Sequence, residues 1–324
     1  VSPEEERFKM AIQWFPGHMH ATRKAILARM KDGIDVVIEL LDARAPGSSS
    51  NPLLARLTQG RPALKVLNKQ DLADPARTER WLDTFNARPG TRAIALDAGE
   101  TAPAQRLIAA CRALAPGRNG LDRPMRVLIC GIPNVGKSTL INSLAGKRAA
   151  RTGDEPGITK NEQRIALTSD FYLYDTPGML WPKIIVEQSG HHLAAIGSIG
   201  RNAMTEELVA AELIGVLRRD YPGALEARYR LDPLPGADQL HDDECLEQIG
   251  RRRGAVLAGG RIHLQKAAEL VLHDFRSGTL GRITLETPEA FAVWLAEAEA
   301  AEEALQAERE AARPARRPRA APRG

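Results

Sequence analysis

Apolar residues fall along this chain in two kinds of run. Short, β-branched stretches read as buried strands: "DVVIELLDAR" (35–44), "PALKVLNKQD" (62–71, polar at its end), "RAIAL" (92–96), "MRVLIC" (125–130) and "FYLYD" (171–175). Between them, 19–31, "PARTERWLDTF" (75–85) and "AQRLIAACRAL" (104–114) repeat near the helical period, the second opened by a proline. Strands that alternate with helices predict an α/β domain with a parallel sheet covered on both faces. Past about residue 200 the pattern becomes wholly helical, in "TEELVAAELIGVLRRDYPGALEARY" (205–229), "LHDDECLEQIGRRRG" (240–254) and "RIHLQKAAELVLHDF" (261–275). Thr205 is placed to cap the first of these. A second, smaller all-α domain is expected, with the boundary within 185–205.

Composition adds little and excludes more. The chain has 324 residues, enough for two domains, with 43% hydrophobic and 27% charged positions. No apolar run approaches the roughly 20 residues of a bilayer crossing, and "VSPEEERFKM" lacks the layout of a secretory signal, so a cytoplasmic protein without a membrane partner is expected. Residues 1–9 read as an upstream extension, with Met10 an alternative start. Cys111, Cys130 and Cys245 have neither disulfide nor metal spacing. Net charge is +4, with arginine concentrated at the end in "ARPARRPRAAPRG" (312–324), which has no large apolar side chain and predicts a disordered basic tail. Before it, "EAFAVWLAEAEAAEEALQAERE" (289–310) reads as a glutamate-rich solvated helix.

The chemistry begins after the strand 125–130, where "GIPNVGKSTLIN" is a full G-x-x-x-x-G-K-[ST] loop leading into a helix. Gly131, Asn134, Val135, Gly136, Lys137, Ser138 and Thr139 form the phosphate-binding set. The two glycines let backbone N–H groups turn toward phosphate oxygens, Lys137 supplies charge, and Ser138 supplies a Mg²⁺ ligand. "DTPG" follows the strand 171–175: Asp175 reaches the Mg²⁺ shell, through water, and the Gly178 N–H meets the terminal phosphate. Thr159, in "GDEPGITK", completes the metal shell. "NKQD" (68–71) selects the base, because the Asp71 carboxylate accepts from both guanine donors, Asn68 orients the loop and the Lys69 stem covers the ring. The nucleotide is therefore GTP or GDP rather than an adenine nucleotide.

The order of these motifs is unusual, since Asn68 precedes Gly131 where ordinary GTPases place the base-reading motif last. A doubly wound sheet can be cut in one loop and rejoined at another, so the same site can form from a circularly permuted P-loop GTPase domain. That order, with "IQWFPGHMHATRK", "LDARAPGSSSNP", "LNKQDLAD", "GIPNVGKSTLIN", "PGIT" and "DTPGMLWPK", resembles the ribosome biogenesis GTPase A (YlqF-type) family over roughly residues 10–285. The resemblance implies a cytoplasmic, monomeric GTPase that acts late in maturation of the large (50S) ribosomal subunit. Its helical domain would contact ribosomal RNA, and the particle would stimulate its hydrolysis. The implied division is 1–18, an extension with the WFPGH segment; 19–195, the permuted GTPase domain; 196–285, the helical RNA- and ribosome-binding domain; and 286–324, the glutamate-rich helix and tail. The fifth guanine motif is only approximate in "ALDAGE", which nominates Asp97 and Ala98.

Small GTPases carry a water-orienting glutamine after the Asp-x-x-Gly glycine, but here the position is Met179, whose thioether cannot orient water. The resemblance offers His18 of "WFPGHM" as the catalytic replacement, and Asn134 as a K⁺ ligand that could act with it. Arg251–Arg253, Lys266 and Arg282 supply charge for RNA phosphates. Two rival readings are a GTP-gated RNA-binding module with negligible hydrolysis, and a GTPase acting on another RNA or protein partner.

Overall fold

Every residue of strand β1 (Val36–Asp42) is buried. Because alternate side chains of a strand point to opposite faces, this requires cover on both sides of the sheet. The computed structural model describes residues 17–97, 103–118, 120–145, 164–181, 183–200, 204–235 and 239–311. Its six-stranded sheet has the order β3-β2-β1-β4-β6-β5, with β2 at Ala63–Asn68, β3 at Thr91–Ala95, β4 at Met125–Gly131, β5 at Arg164–Thr168 and β6 at Phe171–Asp175. All pairings are parallel except β5 with β6. The antiparallel edge strand departs from the expected all-parallel sheet: β5, whose apolar run is only Ile165–Leu167, joins β6 across the short turn at 169–170, which makes the two run in opposite directions.

Helices α1 (Gly17–Lys31), α2 (Pro52–Leu57), α3 (Pro75–Asn86), α4 (Pro103–Leu114) and α5 (Lys137–Ala145) surround this sheet. Two of their starts are capped as their sequences dictate. Asn51 accepts from Leu53 N and Leu54 N at the head of α2, and Asp74 from Ala76 N and Arg77 N at the head of α3, each followed by a proline, which has no N–H and so needs no acceptor.

The helical part comprises α6 (Glu187–Ala195), α7 (Glu206–Asp220), α8 (Ala224–Tyr229), α9 (Asp242–Arg252) and α10 (Leu264–Arg276). The expected stretch 205–229 is two helices because Pro222 and Gly223, at φ 91°, interrupt it. Thr205 stands at the N-cap of α7, but its side chain makes no capping bond. Helix α7 packs on α6, α9 and α10. Leu213, Ile214, Leu246, Val271 and Phe275 there join the same buried cluster as Leu40 and Ile129 of the sheet.

The chain then returns to the sheet: Ile283 N donates to Leu72 O at 3.0 Å and Leu285 N to Arg44 O at 2.7 Å. The last helix, α11 (Pro288–Ala311), is exposed over most of its length, as its composition predicts, and docks at a few positions. Its Phe291 ring meets Trp81 edge-on at 5.8 Å, and Glu302 pairs with Lys183. The tail 312–324 lies outside the described residues.

Candidate nucleotide-binding site

Parallel strands β1, β2, β4 and β6 end at one edge of the sheet, and the loops leaving them build the site. At the end of β4, a Cβ on Gly131 would stand 2.8 Å from Leu40 O, so only glycine lets the loop leave this close to β1. Asn134 and Gly136 both take positive φ, 63° and 90°, which curls the loop before α5 begins at Lys137. Such a curl turns successive N–H groups toward one side and makes an anion-binding nest at a helix start. Val135 faces the other way, into the core.

The earlier segment meets this loop directly. Asn68, the last residue of β2, donates through Nδ2 to Val135 O at 2.8 Å. Lys69, left-handed at φ 62°, donates through Nζ to Asn134 O at 2.8 Å and to Asp42 Oδ2 at 2.9 Å. Asp71 is exposed on the 3₁₀ turn Gln70–Leu72 that follows, and Gln70 Nε2 donates to Asp97 Oδ2 at 3.3 Å. From β6, Asp175 pairs with Lys137. A Cβ on Gly178 would lie 3.1 Å from Pro133 N, so that turn also packs on the phosphate loop. Lys69, Asn134, Lys137, Ser138, Asp175 and Gly178 line one cavity of about 720 Å³, together with Gly136 and Thr139. Asp71 is not among its lining residues. His18 lies in α1 with its side chain outside the described residues, as Ala98 and Thr159 are entirely.

Segments in swapped order thus converge on one cradle. The ribosome biogenesis GTPase A of Bacillus cereus is 42% identical over 301 residues, which cover 91% of this chain and all of that protein. The chain belongs to the ribosome biogenesis GTPase A family. Its Thermotoga maritima relative is 31% identical, with 86% of this chain and 95% of that protein covered. Residues 126–222 match the family model described as 50S ribosome-binding GTPase. A GDP-bound YlqF structure superposes with a TM-score of 0.61 at 27% identity, over 81% of this chain and 99% of that one. GNP-bound YlqF from T. maritima gives 0.56 at 25%, over 82% and 98%. The chain is therefore a GTPase of ribosome biogenesis with the permuted P-loop fold, and GTP hydrolysis is its reaction.

Three features of this ribosome biogenesis GTPase were not read from its sequence. The first is Asp42. Burial by itself would raise its carboxyl, but Arg44 and Lys69 overcome that and hold it at about 2. Arg44 chelates it through Nε at 2.9 Å and Nη2 at 2.8 Å. The only available signal was a buried strand ending in Asp-Ala-Arg. The second is the setting of Met179, which is 1% exposed. Its N donates to Gly131 O at 3.0 Å and its O accepts from Asn51 Nδ2 at 2.7 Å, so the position is built for packing. The third is Arg282, expected to face RNA. It is exposed, and its guanidinium also donates to Ala73 O and Gln70 O, both at 2.9 Å, tying it to the turn that carries Asp71. Asn134, nominated for K⁺, donates through Nδ2 to Gly197 O at 2.7 Å.

Proposed function

We propose that this GTPase acts late in maturation of the large ribosomal subunit, binding GTP in the cavity between Lys69 and Lys137 and hydrolysing it when docked on the particle. The observation that carries the reading is that Lys69, from the early motif, lines the same 720 Å³ cavity as Lys137, Ser138 and Asp175. In this reading the loop N–H groups and Lys137 hold the β- and γ-phosphates, the Gly178 N–H meets the γ-phosphate, and Asp71 accepts from the guanine edge. Lys69 covers the ring, Asn68 fixes the loop, and Asp97 with Ala98 supports the base.

GTPases generally use Mg²⁺, and the donors present suit it: Ser138 and Asp175 offer a hydroxyl and a carboxylate oxygen to one cavity, the hard ligands this ion prefers. Thr159 would join them. Bound Mg²⁺ would neutralise charge developing on the phosphate oxygens. Asn134 is our proposed K⁺ ligand and His18 our proposed water-positioning residue, since Met179 is turned into the core.

The helical part is assigned the RNA contact. Arg228, Arg230, Arg252 and Arg253 line a concavity of about 880 Å³ whose charge suits phosphates more than bases. Arg228 is chelated by Asp274 at 2.7 and 2.9 Å, while Arg252 and Arg253 are exposed. Contact with a precursor particle should then weaken steeply with salt. The protein would work as a monomer in the cytoplasm. Among the described residues no helix is long and apolar enough to cross a membrane.

The test pairs nucleotide affinity with turnover in the presence of large-subunit precursor particles. His18→Ala should keep GTP affinity within about twofold and lose particle-stimulated turnover by two orders of magnitude or so. Unchanged turnover would remove His18 from the mechanism. Failure of the protein to co-sediment with those particles in any nucleotide state would remove the large subunit as partner.

A further inference from the structure

We propose that Arg276, in the last turn of α10, is a positioning residue for the nucleotide site, so that the helical part sets nucleotide affinity. The proposal rests on the nucleotide reading above. Arg276 donates through Nε to Ala195 O and through Nη2 to Ala194 O, each at 2.8 Å. These are the final carbonyls of α6, which a helix end leaves for an outside donor. Two residues on, Gly197 turns at φ 82°, and a Cβ there would be 3.6 Å from Arg276 Nε, so the guanidinium also backs the turn. The carbonyl presented by that turn, Gly197 O, accepts from Asn134 of the phosphate loop at 2.7 Å.

A second arm leaves the same residue. Arg276 O accepts from Arg44 Nη1 at 3.3 Å, Arg44 is forked onto Asp42, Asp42 holds Lys69, and Lys69 Nζ bonds Asn134 O at 2.8 Å. The two arms close into a ring at Asn134. Neither the phosphate loop nor the guanine-motif lysine can shift without moving against α10. Whatever displaces α10 must therefore alter nucleotide affinity, and nucleotide must in turn bias α10. A residue that only capped α6 would stabilise the fold and leave affinity alone.

A double-mutant cycle on the full chain separates the two roles. Arg276→Ala, Arg276→Lys, Asn134→Gly (which tolerates positive φ) and the doubles are compared by GDP dissociation constant and melting temperature. Arg276→Ala and Asn134→Gly should each weaken GDP binding about fivefold, the size of one lost hydrogen bond, and the double should be no weaker than the weaker single. Arg276→Lys, able to reach one carbonyl, should recover part of the affinity, and it carries the cycle if the alanine variant does not fold. In the wild type, GDP should slow hydrogen exchange at Ile196, Gly197 and Ser198, and Arg276→Ala should abolish that protection. Unchanged GDP affinity with a lowered melting temperature, or a double equal to the product of the singles, would overturn the proposal. If Lys137→Ala binds GDP as well as the wild type, it is the nucleotide reading of the cavity that fails instead.

Discussion

Asp42 concentrates the argument at the residue scale. It has no exposed surface, yet Arg44 and Lys69 outweigh its burial and hold the carboxyl at about 2. A depressed carboxyl stabilises the fold above its ordinary value near 4, and that stability disappears as pH falls through about 2. The shift corresponds to ~2 kcal/mol. His191 behaves in the complementary way: burial lowers its imidazole to about 4, so protonation opposes folding and stability falls as pH drops from about 6.5 toward 4. Acid denaturation should therefore show an upper and a lower window. Asp42→Asn should cost ~3 kcal/mol at pH 7, because it strands the Arg44 cation, and should flatten the pH 4 to 2 window while sparing the upper one. Thermal melts from pH 2 to 7 measure both, and an unchanged lower window would refute the assignment to Asp42. Residue roles are legible from the chain where one residue type has one geometric use, as with Gly131 and Gly136, whose close approach and positive φ let the loop curl. They are illegible where a role depends on a partner distant in sequence: nothing in the chain near Arg282 signals its hydrogen bonds to Ala73 O and Gln70 O.

At the element scale the loops carry the function, and glycine shows how. Gly136 sits at φ 90°, where a Cβ would also collide with Asn68 Nδ2. Gly260 sits at φ 79° with open space around it. Gly260→Ala should cost only the ~1 kcal/mol of left-handed strain, whereas Gly136→Ala should also break the Asn68 contact and reduce GTP affinity at least tenfold. Equal effects in both variants, by melting and GTP titration, would mean that the Asn68 contact contributes nothing. Elements were most legible where an apolar run or helical spacing was unbroken: "FYLYD" coincides with β6, and "AQRLIAACRAL" differs from α4 by one residue. Legibility failed at one edge of the sheet, though not at the other, where β3 lies within one residue of "RAIAL". Strand β5, at the sheet margin, alternates only weakly in burial and sent no clear signal. Helix α11 is solvated, as its alanine and glutamate content predicts, but the contacts that dock it, through Phe291, Trp294 and Glu302, carry no local signal. In each case the deciding partner is tertiary.

For the whole molecule, permutation is the organising fact. The base-reading strand β2 and the phosphate-loop strand β4 flank β1 on either side in one parallel sheet, so chain order is free to change while spatial order is kept. The cut places the helical part directly after Asp175–Gly178, and α6 carries the chain from that motif onto α7. One buried cluster then runs through both parts, and the return at residues 283–286 fastens the far end of the helical part to the loops beneath Arg44 and Leu72. A helical part joined to its nucleotide site at so many points is suited to report nucleotide state to a bound partner.

Asp71 and Lys137 are proposed to serve one nucleotide, a pairing that calorimetry with GTP and ATP reads out. Titrating GTP and ATP into the full chain should show a marked preference for GTP, because the Asp71 carboxylate accepts from two guanine donors that adenine does not offer. Asp71→Asn should erase most of that preference, and Lys137→Ala should weaken both nucleotides. Equal affinity for GTP and ATP in the wild type, or a preference untouched by Asp71→Asn, would contradict it.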